Sequence, residues 1–317
     1  MRAGMPVPDA SLIRRWPWRV ASARYSCSRE VDMKALLHFD GGRIKRFAQP
    51  FHSALSKLHL VARRAELTGA YPDRKSAVRA APRWALTDYD HEEVVPVALD
   101  KMSRIIDWDY PVLFWLEREL RAREGHPIRL LDAGGHVGTK YRAFRNLIDL
   151  SSVQWQVYEL PSMVKAGRDM ARAEGLGPQL SFCDTFSDIR EVDILLCSGL
   201  LQYLDIPFAD FVSNLPKRPQ VILLNKVALR EGPSIYTLQR GGPTFLPYHI
   251  RSKHQFLADL DALGYRIVDS WRIQYLAHRV ASHPELGWSE SRGYMLLRKD
   301  LARGAREPVE PAMAKAG

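Results

Sequence analysis

Continuous apolar runs alternate with amphipathic segments through the middle of the 317-residue chain. Runs such as DILLC and VILLN have the character of strands that are buried on both faces of a parallel sheet. The segments between them carry apolar residues at helical spacing, so the pattern predicts a βαβ series. The predicted strands are 128–133, 153–159, 179–183, 192–197, 220–225, 265–273 and 293–298, and the predicted helices are 139–150, 162–174, 207–215 and 252–263.

This alternation predicts an α/β fold with a doubly wound, mostly parallel, seven-stranded sheet over residues 126–299. Two segments interrupt the pattern, 228–250 and 274–291. The first is rich in Gly, Pro and aromatic residues and is too long for a routine connection. We interpret it as a functional loop and the second as another long loop.

The residues before the core predict a helical N-terminal segment or lid over 47–125. It comprises an amphipathic helix at 47–67, a turn-rich connector at 69–91 with a short helix near 74–81, and helices at 92–106 and 110–124. Residues 1–46 and the tail 300–317 lack periodicity and are predicted to be disordered. Met33 is an alternative to Met1 as the natural start.

The net charge of +10 is unevenly distributed. Residues 1–87 carry 17 Lys/Arg against 6 Asp/Glu, a net +11, whereas residues 88–317 carry 29 against 30, a net −1. A nucleic-acid enzyme would need a basic groove in its core, so nucleic acid is disfavoured as a partner. The basic helix at 47–67 either docks on the main domain or contacts an anionic membrane surface.

Three cysteines without a CxxC pair argue against a disulfide scaffold or a zinc module, and no apolar run approaches the roughly 20 residues of a membrane span. We therefore expect a cytoplasmic protein. No spacing of His and acidic residues suggests a metal site, and no GxSxG pattern suggests a hydrolase. Whether the protein forms a homo-oligomer is left open.

The candidate site begins where the first predicted strand ends, in the run DAGGHVG. Glycines there let the backbone turn tightly and approach a ligand, and the helix amides that follow can face an anionic group. A tight turn without a ligand is the alternative. The candidate cofactor-binding residues in this turn are Asp132, Gly134, Gly135, His136 and Gly138.

Three further residues lie at the ends of the next predicted strands. Glu159 ends the second strand, 21 residues after Gly138, where a carboxylate can accept hydrogen bonds from ribose hydroxyls. Asp184 follows the third strand and can accept from an adenine amino group, and Ser198 follows the fourth. Because parallel strands end at one edge of the sheet, these residues are predicted to share one crevice.

This constellation resembles the class I S-adenosylmethionine (SAM)-dependent methyltransferases. The resemblance rests on the D-x-G-x-G-x-G turn at Asp132, on Glu159 and Asp184, on VDILLCSGLLQYL and on the final strand pair. It implies that the fold binds SAM and transfers a methyl group. His136 departs from the usual glycine. A narrower resemblance rests on the runs GAYPDRKSA, VYELP and PYHI. They are similar to runs of a bacterial family that is assigned as methyltransferases and is associated with surface-polysaccharide gene clusters.

Methyl transfer to a hydroxyl or an ammonium group also requires removal of a proton. His249 is the first candidate for the base, and the candidates for positioning the acceptor are Tyr248, Tyr203, Gln202 and His283. Each of these residues also has a purely structural interpretation.

Two alternatives to a methyltransferase are carried forward. One is an NAD-dependent oxidoreductase, which the glycine spacing disfavours, because a G-x-G-x-x-G pattern begun at Gly134 meets His136 and Thr139. The other is a SAM-binding fold without catalysis, or with chemistry other than methylation.

Overall fold

A computed structural model describes residues 67–87, 90, 104–241 and 244–304 of the chain. Ten strands and six helices of at least six residues lie in these ranges. The strands are Leu67–Tyr71 (β1), Ile128–Ala133 (β2), Val153–Tyr158 (β3), Leu180–Cys183 (β4), Ile194–Ser198 (β5), Val221–Arg230 (β6), Ile235–Gly241 (β7), Thr244–Ser252 (β8), Tyr265–Arg272 (β9) and Glu290–Arg298 (β10). The helices are Arg74–Ala80 (α1), Tyr110–Ala122 (α2), Thr139–Phe144 (α3), Pro161–Ala173 (α4), Phe208–Ser213 (α5) and Lys253–Ala262 (α6).

The predicted doubly wound sheet is present. Strands β4, β3, β2, β5 and β6 pair in parallel in that order, and β10 then pairs antiparallel with both β6 and β9. From β2 the chain adds β3 and β4 on one side of the sheet, and then β5 and β6 on the other side. In such a sheet, the crevice opens at the carboxyl ends of the strands where this order switches, which are β2 and β5. The fold class and the antiparallel final pair are therefore confirmed.

Apolar residues cover both faces of this sheet. Leu130 and Leu131 are adjacent in β2 and belong to two different buried clusters, as alternation along a strand requires. One cluster holds side chains of α2, α3 and α4, and the other holds side chains of α5 and α6. This two-sided burial explains why the strands are apolar throughout.

The prediction of a functional loop over 228–250 is wrong. Strand β6 continues to Arg230, and residues 235–241 and 244–252 pair as the antiparallel strands β7 and β8 of a hairpin. Strand β1 pairs antiparallel with β7, where the sequence predicted the end of a helix and a connector. The three strands β1, β7 and β8 form an appended sheet, and it joins the main sheet where Leu229 and Arg230 pair with the end of β8.

The other differences are local. Helix α3 ends at Phe144 rather than at residue 150, since the chain continues in turns with Leu147 exposed. The segment 274–291 contains two short 3-10 turns, Gln274–Leu276 and Pro284–Leu286, and begins the last strand. The predicted helix at 47–67 and most of the one at 92–106 lie outside the described residues, as do the predicted disordered segments apart from 300–304. No described helix is both long and apolar enough to cross a bilayer.

Candidate cofactor and acceptor site

The glycine-rich turn between β2 and α3 adopts left-handed backbone conformations at three alternate positions. The φ angles are +73° at Gly134, +56° at His136 and +79° at Gly138. Glycine adopts this conformation freely, and His is among the side chains that tolerate it best. The resemblance expects glycine at all three positions, so the backbone geometry explains both that expectation and why histidine can replace glycine here.

Gly135 is required for a different reason, which is space. A Cβ atom placed on it would lie 2.5 Å from Oδ2 of Asp132. That carboxylate is 1% exposed beneath the turn and accepts a hydrogen bond from Trp155 Nε1 at 3.2 Å. Burial raises the pKa of the Asp132 carboxyl to about 7. Asp132, which the sequence assigns to cofactor binding, therefore supports the turn from below in this structure.

Glu159 is attached directly to the same turn. Its Oε1 accepts from the backbone N–H of His136 at 3.0 Å, and its Oε2 accepts from the N–H of Leu160 at 2.9 Å. Burial raises the pKa of this carboxyl, against the two backbone hydrogen bonds, which lower it. Each oxygen retains a lone pair, so the carboxylate can still accept a hydrogen bond from a ligand hydroxyl.

The ends of β4 and β5 complete the predicted edge. The N–H of Glu159 donates to the carbonyl of Cys183 at 3.1 Å, which places the following residue, Asp184, beside Glu159. Ser198 ends β5 and pairs in register with Asn225 of β6. The four predicted strand ends therefore lie along one edge of the sheet.

Residues 108 and 109, which directly precede α2 in the chain, lie against this edge of the sheet. Asp109 is fully buried, and its Oδ2 accepts from Lys140 Nζ of α3 at 2.7 Å. The carbonyl of Trp108 accepts from Nδ2 of Asn225 at 3.1 Å. These bonds hold the segment against α3 and β6, while its role as a lid stays a prediction.

Several buried polar atoms in this region have no hydrogen-bond partner among the described residues. They are Trp108 Nε1, Asp109 Oδ1, His136 Nδ1, Ser198 Oγ and Gln202 Oε1. Buried polar atoms in folded proteins are nearly always satisfied, by protein, water or a ligand. Their grouping around the glycine turn and the end of β5 fits a polar ligand such as SAM, whose amino-acid end offers both donors and acceptors.

His136 carries one of these unsatisfied buried atoms, and it also occupies a turn position with a left-handed backbone. It is 7% exposed, and burial lowers the pKa of its imidazole to about 4. The ring is therefore neutral near pH 7, so it adds no positive charge next to a sulfonium ligand. The side chain that departs from the family pattern is electrostatically compatible with SAM.

Lys226 was missed by the sequence analysis. It lies at an irregularity in the pairing of β6 with β10, has a φ of +60°, and directly follows the predicted strand end at Asn225. Burial and the positive charge of Lys140 lower the pKa of its ammonium group to about 8. The polar pair Asn225-Lys226 interrupts an otherwise apolar run, which is the signal that could have identified it.

The acceptor candidates cluster at the appended sheet. The backbone N–H of His249 donates to the carbonyl of Gln202 at 2.8 Å, and Tyr203 packs edge-on against Tyr248 with ring centroids 5.6 Å apart. Tyr203 Oη also donates to Gln239 Oε1 at 2.5 Å. The structure therefore brings these four candidates together where the loop after β5 contacts β8.

His249 and Tyr248 are nevertheless on opposite faces of β8, because they are consecutive in a strand. The imidazole of His249 stacks on Tyr236, with ring centroids 4.2 Å apart. Burial and the Arg251 charge lower its pKa to about 3, which makes it a weak base near neutral pH. The role of His249 as the base stays a prediction, and this pKa disfavours it.

His283 lies in the segment after β9, beside Ser282. Its Nδ1 is 2.9 Å from the hydroxyl of Ser282, and that hydroxyl accepts from the N–H of Gly69 in β1 at 2.7 Å. These contacts fix the segment after β9 against the appended sheet. Among the described residues there is no group of three or more His, Cys, Asp or Glu that could hold a metal ion.

Comparisons with known proteins identify no family: neither a protein-family profile nor a curated protein sequence matches the chain. Similar solved structures include a SAM-dependent methyltransferase from Clostridium acetobutylicum ATCC 824, with 13% identity, 61% of this chain and 92% of that chain covered, and a TM-score of 0.38. The glycopeptide N-methyltransferase MtfA in complex with SAM has 13% identity, coverages of 58% and 92%, and a TM-score of 0.38. The cyclase SpnF has 14% identity, coverages of 74% and 99%, and a TM-score of 0.42.

Likeness at this level of identity does not extend to activity. The fold assignment therefore rests on the strand order, and the site rests on its own geometry. Together they define a doubly wound α/β protein whose glycine turn, Glu159 and Asp184 meet at one edge of the sheet.

Proposed function

We propose that the protein is a SAM-dependent methyltransferase that modifies a small-molecule or sugar-derived acceptor at oxygen or nitrogen. The observation that carries the proposal is the meeting of the glycine turn with Glu159 and Asp184 at one edge of the sheet, together with the buried polar atoms grouped there. The resemblance to a polysaccharide-associated family supports the cofactor more than the acceptor.

In this proposal the chain's own residues orient two ligands. The turn at Gly134–Gly138 would hold the amino-acid end of SAM, Glu159 would accept from the ribose hydroxyls, and Asp184 would accept from the adenine amino group. When bound, SAM supplies a methyl group on a positively charged sulfur. Holding the two reactants in line would be worth about 7–11 kcal/mol.

Acceptor binding is assigned to the region where the loop after β5 meets β8. Gln202 and Tyr203 border this region, and both are held by contacts to β7 and β8. His249 is the predicted base, but the low pKa of its imidazole fits a positioning role better. In that case the acceptor is an amine or an acidic hydroxyl, and it loses its proton to water.

Calorimetric titration with SAM, S-adenosylhomocysteine (SAH) and NAD tests the proposal. We expect both sulfur ligands to bind and NAD not to bind, because the spacing of the turn lacks the glycines that a dinucleotide site uses. NAD binding without SAM affinity would contradict the proposal.

A second candidate function is SAM binding with chemistry other than methylation. His136 favours it, since a buried side chain at a position where the family pattern has glycine changes the surroundings of the amino-acid end. Incubation with methyl-labelled SAM and a panel of sugar and small-molecule acceptors separates the two. Label transfer to an acceptor supports methylation, and consumption of SAM without methyl transfer supports the second candidate.

A further inference from the structure

We propose that Lys226 forms the centre of an oxyanion-binding subsite in the crevice, and that the subsite binds a carboxylate or phosphate group of a ligand. The proposal rests on the proposed function in that it takes the crevice to be the ligand site. The group that it binds belongs either to the cofactor's amino-acid end or to the acceptor.

The position of Lys226 is the first argument. Gly199 is the residue that directly follows β5. A Cβ atom placed on it would lie 3.8 Å from Lys226 Nζ. The ammonium group therefore lies across the end of the strand that carries Ser198. The pairing irregularity at Lys226 accounts for this, because such irregularities redirect side chains and are common beside active sites.

The backbone of Lys226 supports the same conclusion. A φ of +60° is uncommon for a residue other than glycine and has an energetic cost. Glycine or asparagine would adopt it more easily, yet this position holds a long cationic side chain. The fold thus retains a strained conformation that directs an amine into the crevice.

The charge of Lys226 is the second argument. Among the residues that the structure describes, no carboxylate lies within ion-pair distance of its Nζ, whereas the nearby Lys140 is paired with Asp109 at 2.7 Å. Lys226 is also only partly exposed. The carboxylates of Asp109 and Asp132 act on this ammonium group from beyond ion-pair distance. A mostly buried ammonium group without a carboxylate at bonding distance is costly, and a ligand anion would supply the missing partner.

Several neighbouring groups can donate hydrogen bonds. The indole of Trp108 lies with its ring centroid 6.0 Å from Lys226 Nζ, and its buried Nε1 has no partner among the described residues. The side-chain amide nitrogen of Gln202 lies 3.7 Å from the Cβ position at Gly199, and the hydroxyl of Ser198 is also unsatisfied. Donors that converge around a cation select a group rich in acceptors, which is the property of an oxyanion.

Competitive labelling of lysines tests the subsite directly. The full-length protein is treated with an amine-acylating reagent at pH 8, and labelling rates of Lys226 and the exposed Lys75 are compared by mass spectrometry. We expect benzoate or inorganic phosphate to slow acylation of Lys226 about fivefold relative to chloride at equal ionic strength, because an ion-paired amine is less nucleophilic. Lys75 should be unaffected. Equal acylation rates of Lys226 in benzoate, phosphate and chloride, together with no slowing of its acylation by SAH, would overturn the proposal.

Calorimetry then identifies the source of the anion. SAH carries the amino-acid carboxylate and 5′-methylthioadenosine does not, so the two are titrated into the wild type and the variants Lys226→Met, Lys226→Arg and Lys75→Met. If the cofactor supplies the anion, Lys226→Met weakens SAH about tenfold or more, Lys226→Arg weakens it less, and 5′-methylthioadenosine is unchanged.

If the acceptor supplies the anion, both nucleosides bind Lys226→Met as they bind the wild type. Benzoate or phosphate then still protects Lys226 in wild-type protein saturated with SAH. Unchanged SAH affinity in Lys226→Met, with no protection of Lys226 by SAH, benzoate or phosphate, contradicts the subsite. A wild type that binds neither nucleoside contradicts the proposed function instead, and the labelling arm then still tests the anion site. Thermal unfolding of each variant separates a loss of binding from a loss of fold.

Discussion

The cofactor edge and the appended sheet differ in how they are encoded. At the edge, each contributing residue ends a strand or directly follows one, so the regular βαβ order brings together Gly134, Glu159, Asp184 and Ser198. The appended sheet joins β1 to β7, elements separated by more than 150 residues in sequence. A site built from strand ends can therefore be identified in a sequence, whereas a sheet whose strands are distant in the chain cannot.

The largest effect is expected from Gly135→Ala. Because the new Cβ would lie 2.5 Å from the Asp132 carboxylate, either the turn or that carboxylate must move. We expect SAH affinity to fall about hundredfold, or about 2.7 kcal/mol, with further destabilisation of about 1–3 kcal/mol from overpacking. Gly177→Ala is the matched control, since a Cβ there meets no atom within 4 Å. Equal SAH affinity in the two variants would refute the role given to this contact.

The next effect is the pH dependence that arises from Asp132. Its pKa is raised from 3.8 to about 7, so its contribution to stability is complete below pH 4 and is lost as the pH rises through 7. Asp132→Asn removes this titration. Relative to that variant, we expect the wild type to lose about 4 kcal/mol of unfolding free energy between pH 4 and pH 8, as a shift of about three pKa units corresponds to about 1.4 kcal/mol for each unit. Denaturant unfolding at several pH values measures it, and parallel pH profiles would argue against a raised pKa.

Glu159→Ala should weaken SAH binding by about tenfold, or about 1.4 kcal/mol, because it removes both the acceptor for the ribose and the bond to the His136 amide. The fold should remain intact, as circular dichroism can verify. The exposed Glu124→Ala serves as the control. Unchanged SAH affinity in Glu159→Ala would place the ribose elsewhere.

The smallest effect on the cofactor edge is expected from His249→Ala in the appended sheet. Loss of the ring pair with Tyr236 should lower stability by about 0.5–1.5 kcal/mol. SAH affinity should not change, since the imidazole stacks on Tyr236 in β7 and the hydrogen bond from His249 to Gln202 is made by the backbone, which the substitution retains. Thermal unfolding and calorimetry check this against the exposed His254→Ala. A large loss of SAH affinity would show that the two regions are not independent.

With an acceptor identified, turnover of the same His249 variant tests its predicted role as base. Lost turnover at intact SAH affinity supports that role. Retained turnover leaves His249 as a structural residue of the appended sheet.

Much of the main sheet could be predicted, because strands buried on both faces produce apolar runs that stand out locally. The boundaries of β2 agree with the prediction, and those of β3 and β4 differ by one residue. The hairpin of β7 and β8 could not be predicted in the same way. Its Gly, Pro and aromatic residues are compatible with a loop, and only pairing with β1 and β6 gives them the partners of a sheet.

The site divides in the same manner. The glycine turn, Glu159 and Asp184 follow a known spacing, so the sequence reveals them. Lys226, Asp109 and Trp108 do not, since a lysine after an apolar strand and a Trp-Asp pair before a helix are ordinary surface features in a sequence. Their burial against α3 and β6 makes them functional candidates, and burial is a property of the packed structure.

By itself, the amino-acid sequence determined the doubly wound sheet and the edge at which a ligand would bind, because apolar periodicity and turn chemistry act over a few neighbouring residues. Only the tertiary structure decided that Asp132 lies beneath the turn, that Glu159 bonds to the His136 amide, and that Lys226 lies beside Gly199. Those facts depend on which distant segments share space, and desolvation in that shared space sets the charge and reactivity of each group.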